Sequence, residues 1–159
     1  CSVYQDPLHF IRSILPKQPT VSTHPLFGPE SAGDSLIGHT LVLCPEDSDK
    51  QALETIESFA LQIELKVINM SAEEHDEEMA VVQGLTFFVA HSLKDMNLHQ
   101  QKLSTPSFEK LLQLASLEKH HSDELFNTIQ TGNTKTKDIR QRFIKLAKSL
   151  DQKITHHQK

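Results

Sequence analysis

Apolar and polar positions change their period midway along this chain. Cys1-Ser2-Val3-Tyr4 reads as a strand end, and Asp6-Pro7 offers a helix cap with proline at the first helical position. A short helix over residues 9–15 stops at Pro16. Residues 20–24 are β-prone and end at Pro25. Residues 25–37, with Gly28, Pro29, Gly33 and Asp34, read as an ordered loop. Residues 39–44 are a nearly unbroken apolar run of strand length, the mark of a parallel strand buried on both faces. Pro45 ends it. Asp47 or Ser48 then caps a helix to about residue 61, with Ala52, Ile56, Phe59 and Ala60 on its inner face. Residues 64–69 form the next strand.

Residues 1–70 therefore alternate strands and helices, which predicts the back half of a doubly wound, Rossmann-like parallel sheet. From residue 71 the period is helical. Ser71-Ala72-Glu73-Glu74 is a capping box, in which the serine oxygen takes a backbone N–H and the glutamate reaches back. The helix it opens runs to about residue 93 and is apolar nearly all round after Met79, which predicts burial on most sides. Gly84 in its middle costs about 1 kcal/mol relative to alanine, and the return expected is close approach of another helix. Ser104-Thr105-Pro106 restarts the chain and Gly132-Asn133 is a stop signal. A last helix from about residue 136 carries Ile139, Phe143, Ala147, Leu150 and Ile154 along one stripe. Residues 71–159 thus read as all-α, and so apolar a helix among so few neighbours suggests a homodimer that completes the core.

The 159 residues carry 16 Lys+Arg against 21 Asp+Glu, a net charge of −5. An acidic chain with no Trp and one Tyr disfavours general nucleic-acid binding and base-stacking platforms. No apolar run approaches the roughly 18 residues a membrane span needs. Two cysteines, Cys1 and Cys44, give no CxxC spacing, and reduced thiols in a cytoplasmic protein are the plain expectation. The adjacent pairs His120-His121 and His156-His157 lack the i,i+4 spacing of helical metal ligands, so no metal is expected.

Two places stand out as candidate chemistry. His24 lies at the end of a predicted strand, ahead of a loop stiffened by Pro25, Gly28 and Pro29. Ligands of open α/β sheets bind at strand carboxyl ends, and a histidine there can serve as a general base near neutral pH. The plainer role for His24 is as a strand-end residue. His75-Asp76 sits in the first turn of the long helix, where acidic residues favour the helix dipole in any case.

Taken together, Cys1-Ser2-Val3, His24-Pro25-Leu26-Phe27-Gly28-Pro29, Glu74-His75-Asp76 and Met79-Ala80-Val81-Val82-Gln83-Gly84-Leu85 resemble the prephenate and arogenate dehydrogenase family. The resemblance covers residues 1 to about 130. It implies an NAD(P)-binding domain followed by a helical dimerisation domain. It also implies oxidation of a ring hydroxyl by hydride transfer, with loss of CO2, in tyrosine biosynthesis. By position, His24 matches the catalytic histidine that accepts a hydrogen bond from that hydroxyl, and Ser2 matches a serine that supports it. Ser2 and Pro25 would border the cofactor. His75, His91, Lys110 and Lys119 would line the substrate.

Three departures from the family pattern shape the expectation. No G-x-G-x-x-G loop is present, so this chain by itself should not turn over substrate. Phe87 stands where the family usually has a second histidine on the long helix, with His91 one turn further on. Prephenate carries two carboxylates, which planar arginine forks suit best, yet no arginine lies between residues 71 and 130. The alternative reading is a catalytically inactive helical dimer of the same ancestry. A weaker one is a small anion-binding protein using Arg140 and Arg142.

Overall fold

The structure is a computed structural model that describes residues 5–45, 50–117 and 122–157. Cys1, Ser2, Asp47, Ser48, Lys119, His120 and His121 lie outside the described residues, as do the first predicted strand and the predicted cap of the second helix. The chain divides into two compact units, Cys1–Asp76 and Glu77–Lys159.

The first unit holds helix α1 (Gln5–Ile14), strand β1 (Ser22–Pro25), a single turn α2 (Pro29–Ala32), strand β2 (Thr40–Cys44), helix α3 (Lys50–Gln62) and strand β3 (Lys66–Asn69). Asp6-Pro7 falls inside the first turn of α1 instead of preceding the helix, a place where proline is tolerated because its missing N–H has no helical partner there. The loop predicted over residues 25–37 contains α2, where Ser31 Oγ accepts from the Gly28 N–H at 2.8 Å.

The strands form one sheet in the order β1-β2-β3. β2 and β3 are parallel, with Val42 opposite Ile68, as the apolar run predicts. β1 corrects the all-parallel expectation: it runs antiparallel to β2, with His24 opposite Val42 and Pro25 opposite Leu41. Its return needs no crossover helix, because the segment between β1 and β2 is a loop with one helical turn.

β2 is buried on both faces, as its composition demands. Leu41 and Leu43 pack with Ala60 and Leu65, and Leu53, Ile56, Ile63, Val67 and Phe27 close around them. Val42 and Cys44 pack on the other face with Ala72 and Met70. The inner face of α3 thus runs through Leu53, Ile56 and Ala60, and Phe59, expected there, is exposed. Successive residues of a helix are rotated by about 100°, which turns Phe59 away from its neighbour Ala60 and off the apolar stripe.

The second unit is all-α. Helix α4 (Ala72–Met79) begins in the first unit and is followed by a π-helical segment, Ala80–Leu85, and by α5 (Thr86–Asp95). Helices α6 (Pro106–Ser116), α7 (Asp123–Gly132) and α8 (Thr134–His157) complete it. Thr105 caps α6 through the Phe108 N–H, and Ser122 caps α7 through the Leu125 N–H. Asn133 follows Gly132 in extended conformation, ending α7 where the sequence predicts a stop.

The glycine in the middle of the long helix has the use predicted for it. A Cβ at Gly84 would stand 2.7 Å from Thr136 Cγ2, in the first turn of α8. The prediction of burial on most sides needs correction, since Val81 and Val82 are 47% and 58% exposed. Only the side carrying Ala80, Gly84 and Ala90 is closed in this single chain. No described helix is long and apolar enough to cross a membrane.

Candidate active site

The candidate site is a line of three side chains in the first unit. His24 Nδ1 lies 2.9 Å from His75 Nε2. His75 Nδ1 lies 3.0 Å from Asp76 Oδ1. The two imidazoles meet edge to face, with centroids 5.1 Å apart and planes at 69°. All three residues are buried: His24 is 8% exposed, His75 1% and Asp76 3%.

Local structure explains the alignment. β1 is held against β2 by its antiparallel pairing, which fixes His24 opposite Val42. β3 ends at Asn69, and the Met70 N–H donates to the Leu43 carbonyl, tying the turn to the sheet. The capping box then forms as its residues predict: the Glu74 N–H donates to Ser71 Oγ, and the Ser71 N–H donates to Glu74 Oε2 at 2.8 Å. His75 donates its own N–H to the Ser71 carbonyl at 2.9 Å. The first turn of α4 is thereby fixed, and with it His75, whose ring meets His24.

The rule that ligands gather at strand carboxyl ends does not by itself place His24, because β1 runs against its neighbour and its carboxyl end lies beside the amino end of β2. The link is His75, which follows the carboxyl end of β3. Burial strips water from the His24 ring and pushes its pKa from 6.5 down to about 4. The Asp76 carboxylate offsets part of that depression. His24 is therefore neutral at physiological pH and holds a ring nitrogen with a lone pair.

Pro25 is exposed at the end of β1. His91 stacks on Phe126 at 4.3 Å between centroids, with planes at 26°, inside the second unit. Lys110 is exposed on α6. Ser2 and Lys119 lie outside the described residues. Phe87 is half-buried on α5. Arg140, offered as an anion ligand, spends Nη1 on the Gln130 side-chain oxygen at 2.8 Å and stands over the Phe88 ring. One of its guanidinium nitrogens is thus bonded within the helical unit. Asp76 stood out in sequence beside His75 and as a helix-dipole acid, but not as the partner of the His75 ring, because that contact depends on how the first turn of α4 is held. Gln130 left no sequence signal at all.

Among the described residues, no three His, Cys, Asp or Glu side chains cluster to hold a metal ion. The residues present do not supply the pyrophosphate loop of a dinucleotide either. The five glycines never occur in G-x-G spacing, and Gly28, Gly33 and Gly38 meet no atom that a close backbone approach would require.

An antiparallel strand on a partly parallel sheet, a buried histidine pair and a helical second unit suit the family that the sequence resembles. Comparison with known proteins agrees. The prephenate dehydrogenase nucleotide-binding domain matches residues 1–69, and the prephenate dehydrogenase dimerization domain matches residues 71–159. This chain belongs to the prephenate dehydrogenase family. A probable arogenate/prephenate dehydrogenase of Methanocaldococcus jannaschii is 28% identical over 141 residues, covering 83% of this chain and 31% of that protein. The chloroplastic arogenate dehydrogenase 2 of Arabidopsis thaliana is 31% identical over 133 residues, covering 79% of this chain and 37% of that protein. The chain thus spans about a third of the length of the curated relatives it matches.

Solved structures share the fold. Prephenate dehydrogenase from Aquifex aeolicus superposes with a TM-score of 0.73 at 25% identity, covering 99% of this chain and 59% of that one. The same enzyme in complex with hydroxyphenyl propionate and NAD+ gives 0.74 at 23% identity, covering 98% of this chain and 58% of that one. Synechocystis arogenate dehydrogenase gives 0.65 at 17% identity, covering 96% of this chain and 60% of that one.

Proposed function

We propose that these residues are the proton-handling and helical part of an NAD(P)-dependent prephenate or arogenate dehydrogenase. The observation that carries the reading is the buried, neutral His24 held by His75 at 2.9 Å. The reaction class needs a group that takes the hydroxyl proton as the carbinol carbon is oxidised. The nicotinamide, when bound, supplies the hydride acceptor. Its pyrophosphate cradle is not among these residues, and what this chain contributes is the proton side. His24 accepts the hydrogen bond of the ring hydroxyl and holds its proton while the carbonyl forms. The carbon–carboxylate bond then breaks, CO2 leaves, and its electron pair aromatises the ring.

The helical unit supports a homodimer in this reading. The family match over residues 71–159 is to a dimerization domain, and α8 leaves Phe143, Leu146, Leu150 and Ile154 exposed along one stripe.

The substrate clamp is the point at which a second reading enters. No arginine lies between residues 71 and 130, and Arg140 is occupied by Gln130. This favours a changed substrate or an inactive dimer of the same ancestry. The test is NAD(P)H formation from prephenate and from arogenate by the native polypeptide that contains these residues. Turnover of either substrate supports the dehydrogenase reading. Cofactor binding without turnover points to another substrate, and neither binding nor turnover leaves the helical dimer.

A further inference from the structure

We infer that His75 and Asp76 are positioning residues that hold His24 in the tautomer protonated on Nδ1, so that its Nε2 presents a lone pair to the hydroxyl being oxidised. The inference rests on the dehydrogenase reading for its purpose, but its geometry stands within the first unit alone.

The argument runs from the acid outward. An ionised carboxylate only accepts hydrogen bonds. His75 Nδ1, 3.0 Å from Asp76 Oδ1, must therefore carry the proton. A neutral imidazole protonated on Nδ1 has its lone pair on Nε2. That Nε2 is the atom 2.9 Å from His24 Nδ1. Two lone pairs cannot face each other at this distance, so His24 Nδ1 carries the hydrogen and donates it. The remaining nitrogen of His24, Nε2, is then the acceptor. At 1% and 3% exposure, His75 and Asp76 are closed to water that would scramble the order.

The same chain of bonds explains why the pair is a histidine and an acid in adjacent positions. The first turn of α4 is pinned by the Ser71–Glu74 box, and from it His75 reaches His24 with one ring nitrogen and Asp76 with the other. A competing arrangement has different consequences. An imidazolium at His75 would donate from both nitrogens, and His24 would then accept on Nδ1 and carry its proton on Nε2. In that state His24 is a donor toward the substrate and cannot take a proton there.

The two arrangements are separable by long-range proton–nitrogen NMR of the full chain labelled with 15N-histidine, with His24→Asn to assign the signals. The expected result near neutral pH is His24 protonated on Nδ1. His24 protonated on Nε2 would overturn the inference outright. Asp76→Leu supplies the second arm: it removes the acceptor that fixes the His75 proton on Nδ1, so His75 should protonate on Nε2, donate to His24 and move the His24 proton to Nε2. In the native dehydrogenase that variant should lose roughly 10²- to 10⁴-fold in kcat with KM changed only a few-fold, and Asp76→Glu should retain the wild-type tautomer. An Asp76→Leu chain whose His24 tautomer is unchanged contradicts the relay. If that variant does not fold, the wild-type spectrum decides. Failure to oxidise prephenate or arogenate, with His24 still protonated on Nδ1, overturns the dehydrogenase reading and leaves the relay standing.

Discussion

Gly84 and Thr136 meet so closely that a Cβ at position 84 would lie 2.7 Å from Thr136 Cγ2 and 2.8 Å from Thr136 Oγ1. Helix propensity alone would make alanine at 84 better by about 1 kcal/mol. Packing reverses the sign, because overfilling a closed contact costs about 1–3 kcal/mol. Gly84→Ala should lose about 1–2 kcal/mol in urea unfolding. Thr136→Ala in the same chain removes the two shortest contacts and leaves only the 3.3 Å approach of Cβ, so the double variant should recover most of the loss. Full stability in Gly84→Ala alone would contradict the close approach.

The π-helical segment is held by Gln130. Its side-chain nitrogen donates to the Gly84 carbonyl at 2.8 Å, and its oxygen accepts from Arg140 Nη1 at 2.8 Å. Gln130 is buried, so its truncation strands both partners. Gln130→Leu should cost about 1–3 kcal/mol, and thermal unfolding checks it. Arg140→Ala should likewise read out as lost stability, with no change in binding of small carboxylates.

The depressed pKa of His24 ties stability to pH. The unfolded chain protonates this ring near its ordinary 6.5 and the folded chain only near 4. Between those values the unfolded state binds more protons, so stability rises with pH there. The contribution is present above about pH 6.5 and lost as the pH falls toward 4. In His24→Asn this part of the pH dependence should disappear from chemical denaturation curves taken between pH 4 and 7.

The exposed α8 stripe predicts association. Leu146→Glu with Leu150→Glu places two charges on the face expected to meet a second copy. Sedimentation should show a dimer for the wild-type chain and a monomer for the variant at the same concentration. A wild-type monomer would remove the helical dimer from the account.

Much of this was legible in the sequence because it is local. The buried β2 run, the Ser71–Glu74 box, the restart at Ser104-Thr105-Pro106 and the Gly132-Asn133 stop each depend on residues within one turn or one strand. The direction of β1 was not, since a four-residue strand carries no mark of which neighbour it pairs with. The His24–His75 bond joins residues 51 positions apart, and spacing does not reveal such a contact. Both residues stood out in the sequence singly, and the structure joins them, with the two ring nitrogens of His75 turned to His24 and Asp76. The π-helical segment escaped for the same reason: the amide that meets the Gly84 carbonyl comes from 46 residues away.

The central claim is that His24 takes the hydroxyl proton, and the most direct measurement is steady-state turnover of His24→Asn in the native polypeptide, beside wild type. Asparagine keeps a hydrogen-bonding side chain but has no ring nitrogen to hold the proton. The account predicts a fall of roughly 10²- to 10⁴-fold in kcat, with KM for the substrate changed only a few-fold. A variant that retains wild-type kcat would contradict it.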